Sequence, residues 1–176
     1  MHVPIKVDYG VRALVDLAIY GEDGKVIRSA DTSSRTAIPQ AYLAQLLHSL
    51  RKAGFVKSTR GPSGGHTLAL PPDEIRLSSV VDSLDSSENL VQCFENSSFC
   101  VHIPACAQRE VWKNVEDAVF GILDSITIAT LTEKTKAAQD TALFRQNVTI
   151  SRSDSYTHLT QPTNREVKIS EVAVSL

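Results

Sequence analysis

The chain has 176 residues, a formal net charge of −2, 42% hydrophobic and 22% charged residues. That length suits one ordinary domain or a small domain with an extension. Nothing approaches the ~18 consecutive apolar residues of a membrane-spanning helix, so no membrane partner is expected. The first ten residues lack signal-peptide architecture, and three clustered cysteines, an odd number, argue against disulfides and for a reducing cytoplasmic setting.

The small acidic total hides a local basic module. From Arg35 to His66 there are five basic residues (Arg35, Arg51, Lys52, Lys57, Arg60) and no Asp or Glu; the acid lies mainly in 73–88 and 110–124. Such a distribution points to a nucleic-acid-facing part on an acidic remainder. The alternative is an ordinary solvated face.

In chain order, residues 7–20 read as a helix, with Val7, Val11, Leu14, Val15 and Ala18 on one stripe and Asp8 at the positive end. The Gly21–Gly24 run breaks it, and Val26-Ile27 suits a short strand. Ser29 to Thr36 reads as a short helix. Ile38-Pro39 opens a second, with Pro39 in its first turn, Tyr42, Leu43, Leu46, Leu47 and Leu50 on the buried side and Gly54 as its cap. The opposite face carries Gln40, Ala41, Ala44, Gln45, His48 and Arg51. It is small and amide-rich, and suits a major groove, where Gln pairs with adenine and Arg with guanine or phosphate.

Two helices joined by a short turn match a helix-turn-helix. Strands follow at 55–59 and 67–70, separated by Arg60-Gly61-Pro62-Ser63-Gly64-Gly65-His66. This run reads as a wing, whose arginine can enter a narrow minor groove. It lacks the Gly-Lys-Ser/Thr ending of a phosphate-binding P-loop. The predicted fold is mostly α with a small β-wing: a winged helix-turn-helix over 1–84, including a helix at 77–84, followed by a long dimerisation helix. The expected DNA-facing set is Arg35, Gln40, Ala41, Tyr42, Ala44, Gln45, His48, Arg51, and Arg60 through His66.

All three cysteines lie between Cys93 and Cys106, spaced C-x6-C-x5-C. Asn96, Ser97, Ser98 and Pro104 favour a loop over 85–106. Thiolates are soft ligands for zinc, Cu(I) or iron–sulfur clusters. Zinc sites more often use closely spaced cysteine pairs. The wider spacings here suit a larger object, and put an iron–sulfur cluster ahead of zinc, with a fourth ligand supplied from elsewhere. The competing reading is three unrelated buried thiols. A thiol enzyme built on Cys100 and His102 lacks any accompanying oxyanion-hole or pocket signal, so no enzyme is expected.

From Ala107 to Ser125 the pattern is helical, with Val111, Val115, Ala118, Val119, Ile122, Leu123 and Ile126 on one side and Glu110, Lys113, Asn114, Glu116, Asp117 and Asp124 on the other. It reads as a dimerisation helix, which a reader of palindromic DNA needs. A short helix is expected after Thr127 or Thr130, ending the third region near residue 135. Residues 136–176 are expected to form a poorly ordered tail. Within it, Asp154 to Val167 resembles translated sequencing-adapter DNA, so the native chain is expected to end near residue 150.

Taken together, Asp8-Tyr-Gly-Val-Arg-Ala-Leu14, Ile38-Pro-Gln-Ala-Tyr-Leu-Ala-Gln-Leu-Leu47, Leu50-Arg-Lys-Ala-Gly-Phe-Val56, Arg60-Gly-Pro-Ser-Gly-Gly65 and the three cysteines resemble the iron–sulfur winged-helix repressors related to IscR, NsrR and RirA. The resemblance covers roughly residues 1–135. It implies a homodimer that binds double-stranded operator DNA through the helix at 39–53 and the wing at 60–66. It also implies a 2Fe-2S or 4Fe-4S cluster on Cys93, Cys100 and Cys106 that sets DNA affinity in response to nitric oxide, redox state or iron supply. Two departures stand out. Arg109 occupies the position of the IscR-type histidine ligand, which leaves Asp8 of the partner subunit favoured as fourth ligand, as in the NsrR type. His102 is the runner-up, and a small molecule or water comes third. Ala44 stands where IscR-like members often carry an acid, so a different operator is expected.

Overall fold

Helix termini and glycines set the path of the chain. The computed structural model describes residues 3–85 and 105–153, with 143–153 described by backbone alone. Helix α1 (Ile5–Tyr20) starts after the extended Pro4 and ends at Gly21. A 3₁₀ turn at Glu22–Gly24 leads to α2 (Ser29–Thr36) and then α3 (Gln40–Lys52). The link between α2 and α3 turns on Ala37, held left-handed at φ 56° and ψ 27°. An alanine there carries strain of roughly 1–2 kcal/mol. The turn is fixed by burial of Ile38 and by the Ser33 hydroxyl, which donates to the Ile38 carbonyl at 2.6 Å. Pro39 is the extended cap residue before α3 rather than part of its first turn.

The core sits where α1, α3 and α4 (Leu77–Leu84) meet. Leu14, Leu17, Leu43, Leu47, Leu50, Ile75, Val80 and Ile128 are almost wholly buried there. Each such side chain contributes about 1.5–3 kcal/mol. Gly10 allows α4 close to α1: a Cβ there would meet the Leu84 side chain and force it to shift.

Strands β1 (Val56–Thr59) and β2 (Gly65–Leu68) form an antiparallel pair with Val56 opposite Leu68 and Ser58 opposite His66. The wing turn is therefore Arg60–Gly64, shorter than the predicted loop, and Gly65 and His66 belong to the strand. The reason is a third chain segment: Ile27 forms an antiparallel bridge with His66, and only a glycine at 65 lets the Ile27 carbonyl approach. The expected strand at Val26-Ile27 is this single bridge.

Helix α5 (Ala107–Asp124) is long, about 27 Å at 1.5 Å per residue. It differs from its predicted facing. Glu116, expected on the polar side, is buried, whereas Val111, Val115, Ala118 and Ile122 of the predicted apolar stripe are exposed. Val119 and Leu123 are half-buried instead. The last helix, α6 (Ile128–Ser153), is not short. No Gly or Pro interrupts residues 122–161, and helix-formers such as Lys134, Ala137, Ala138 and Gln139 carry it past the expected end near 135. Residues 154–176, including the adapter-like segment, lie outside the described residues. Among the described residues, no helix is long and apolar enough to cross a membrane.

Candidate DNA-binding surface and cysteine site

Helix α3 separates its two roles cleanly. Leu43, Leu46, Leu47 and Leu50 are buried, and Gln40, Ala41, Ala44, Gln45, His48 and Arg51 are all exposed. The outward face has donors, acceptors and a cation but no carboxylate, and Arg51 Nη2 lies 3.4 Å from His48 Nδ1. Tyr42 flanks this face. It is half-buried, and its ring meets Tyr9 edge-on at 5.8 Å, so it seats α3 on α1.

Arg35, expected in the DNA-facing set, is paired within the domain. Its guanidinium donates from Nε and Nη2 to the two carboxylate oxygens of buried Asp16 at 2.7 and 2.8 Å, and lies 4.1 Å over the Tyr20 ring. The Asp16 hydrogen bonds are the main reason its pKa is raised further. A charge committed in this way fastens α2 to α1.

At the wing, Arg60, Gly61, Pro62 and Ser63 are exposed and Gly64 is half-buried. Gly61, at φ 116°, sets the turn, and the Gly64 amide donates to the Gly61 carbonyl at 2.9 Å. Arg60 makes no hydrogen bond or ion pair among the described residues, which leaves its charge free for a groove. His66 is structural. Its Nδ1 lies 3.0 Å from Ser58 Oγ and its Nε2 3.1 Å from Ser29 Oγ, which ties β1 and β2 to the start of α2. Burial, and then the nearby Arg51 charge, lower its pKa, so the neutral ring is favoured. Sequence reasoning missed one exposed cation, Arg28, which caps α2. Its signal is a basic residue directly before the Ser29 helix start.

Of the expected cluster ligands, Cys93, Cys100 and His102 lie outside the described residues. Cys106 is a free, half-exposed thiol in the cap position of α5. Asp8 is accessible but paired: Arg12 donates from Nη2 at 2.8 Å and from Nε at 3.2 Å. Among the described residues, no three His, Cys, Asp or Glu side chains converge as a metal site.

The structure fixes both ends of the predicted cysteine loop. At its start, Leu84 packs on Gly10, and Asp85 pairs with Lys6 at 2.8 Å. At its end, Cys106 heads α5, whose far end is fastened to α4. There Arg76 donates to the Asp124 carboxylate at 2.7 Å, the Ser78 hydroxyl does so at 2.8 Å, and the Leu77 amide bonds the Ile126 carbonyl at 2.8 Å.

These features recur in known proteins. A family model described as Rrf2, iron-dependent transcriptional regulator, matches residues 4–134. The chain belongs to the Rrf2 family. It is 34% identical over 148 residues to the HTH-type transcriptional regulator IscR of Aliivibrio salmonicida, covering 84% of this chain and 86% of that protein. Among solved structures, the T. potens IscR superposes with a TM-score of 0.63 at 31% identity, over 79% of this chain and 91% of that one. CymR, titled the global cysteine regulator of B. subtilis, gives 0.64 at 29% identity over 76% and 98%. This Rrf2 protein is thus a DNA-binding transcriptional regulator, and its matched relatives are named as regulators rather than enzymes. The mostly helical fold with a two-stranded wing agrees with the sequence prediction.

Proposed function

We propose that this Rrf2 protein is a homodimeric repressor whose operator affinity is set by an iron–sulfur cluster held by Cys93, Cys100 and Cys106. The observation that carries the reading is the position of Cys106, a free thiol at the positive end of a helix whose other end is fastened to the DNA-binding domain. The chemistry of this donor set fits the group. A bound cluster would supply an iron site open to exchange and a redox-dependent charge. Asp8 of the partner subunit is the favoured fourth ligand and His102 the runner-up. For Asp8 to serve, its carboxylate must leave or share Arg12.

The chain's own residues provide the coupling. A shift of Cys106 moves α5 as a rod. Its motion reaches Asp124, then Arg76 and Ser78 at the start of α4, which packs on both α1 and α3. The reading face of α3 and the Arg60 wing then change position relative to the twofold. Dimerisation is supported by the stripe Val111, Val115, Ala118 and Ile122, at spacings i, i+4, i+7 and i+11, left exposed on α5.

A second reading is a regulator with zinc or no metal whose cysteines act as thiol sensors. The backbone likeness to CymR, as high as that to IscR, favours it; the three-cysteine spacing favours the cluster. Affinity for upstream DNA of the chain's own gene neighbourhood, measured anaerobically with and without iron chelation, separates them. The cluster reading expects a change on chelation that is absent when the three cysteines are replaced by alanine. Chelator-insensitive binding that responds to thiol oxidants would select the second reading.

A further inference from the structure

We propose that Arg28 is a phosphate contact lying between the recognition helix and the wing, and that His66 is the residue that holds it in register. The inference rests on the DNA-facing reading of α3 and the wing. Arg28 is the extended cap of α2, at φ −73° and ψ 142°, and is exposed. It makes no side-chain hydrogen bond or ion pair among the described residues.

The backbone on both sides of Arg28 is pinned to the wing sheet. Before it, buried Ile27 exchanges two main-chain bonds with His66, at 2.9 and 2.8 Å. After it, the Ser29 hydroxyl lies 3.1 Å from His66 Nε2, while His66 Nδ1 lies 3.0 Å from Ser58 Oγ. The same ring feels the charge of Arg51 on the last turn of α3. His66 therefore ties the segment that carries Arg28 to the base of the wing that carries Arg60. A DNA backbone passing from the major groove read by α3 to the minor groove at the wing must cross this zone. A fixed cation there meets phosphate whatever the base sequence.

Salt dependence is the readout, because it counts phosphate contacts and is blind to a purely structural loss. The probe is a short fluorescent duplex of arbitrary sequence, titrated with the full-length protein between about 50 and 200 mM salt. Arg28→Ala is expected to reduce the slope of log affinity against log salt by about 1.8, one contact of about 0.9 lost in each subunit of the dimer. Arg28→Lys is expected to retain it. Lys134→Ala on α6, which removes the same charge elsewhere, is expected to leave it unchanged. His66→Ala is expected to lower the slope in the wild-type background and to add nothing to Arg28→Ala. If His66→Ala does not fold by circular dichroism, the Arg28 variants decide alone. An unchanged slope for Arg28→Ala, while Arg51→Ala and Arg60→Ala lower theirs, overturns the inference by itself. Unchanged slopes in all three overturn the DNA-facing reading with it.

Discussion

Arg35 and Asp16 form a two-pronged ion pair, 2.7 and 2.8 Å, between the second and first helices of the DNA-binding domain. Asp16 is 5% exposed, so the pair is an internal fastener. Arg35→Ala leaves a buried carboxylate without its partner. Because Arg35 itself stays partly solvated, the expected loss is about 2–3 kcal/mol, below the range for a fully buried pair. Chemical denaturation checks this, and the salt dependence of DNA binding should stay at the wild-type value. A lowered slope would return Arg35 to the phosphate contacts.

Ala37 occupies a left-handed turn that suits glycine. Ala37→Gly relieves roughly 1–2 kcal/mol of strain and gives back up to about 1 kcal/mol through added chain entropy. A net gain of about 0.5–1 kcal/mol is expected, read as a rise of a few degrees in Tm.

His66 titrates below its ordinary value of 6.5, because burial and Arg51 disfavour the charged ring. The unfolded chain therefore takes up this proton first as pH falls. The stability linked to His66 is fully present above pH 6.5 and is lost as pH drops below 6.5 through the folded value. Between pH 7.5 and 5.5, His66→Gln is expected to lose less Tm than wild type. Equal losses would show that His66 is not the titrating group.

The exposed stripe on α5 gives a direct test of assembly. Paired Val111→Asp and Ile122→Asp substitutions place charge in a face read as apolar dimer contact, and are expected to yield a monomer by light scattering. The domain should stay folded, since both side chains are exposed at 58% and 62%. A dimer that survives both would move the interface elsewhere.

Helix positions were legible in the sequence wherever periodicity ended at a breaker or cap: α2 and α4 fall at the predicted residues, and α5 within one. Long-range pairings were not legible. Arg35 reads as surface charge because its partner lies 19 residues back, and His66 reads as loop because its strand is set by Ile27, 39 residues away. Glu116 looks solvated on a helical wheel, yet its side of α5 turns inward while the apolar stripe stays open. A wheel identifies an apolar face but not whether the same chain or another copy covers it. In α6 the hydrophobic period fades before the helix ends, because helix propensity without a breaker carries the backbone further.

The central claim is that Cys93, Cys100 and Cys106 hold an iron–sulfur cluster. It is tested most directly by the visible spectrum of anaerobically purified protein, with iron and acid-labile sulfide measured per chain, beside the variant with all three cysteines changed to alanine. The account predicts a coloured wild type containing matched iron and sulfide, and a colourless variant that remains folded. A colourless wild type that cannot be reconstituted with iron and sulfide, or a variant that keeps the colour, would contradict it.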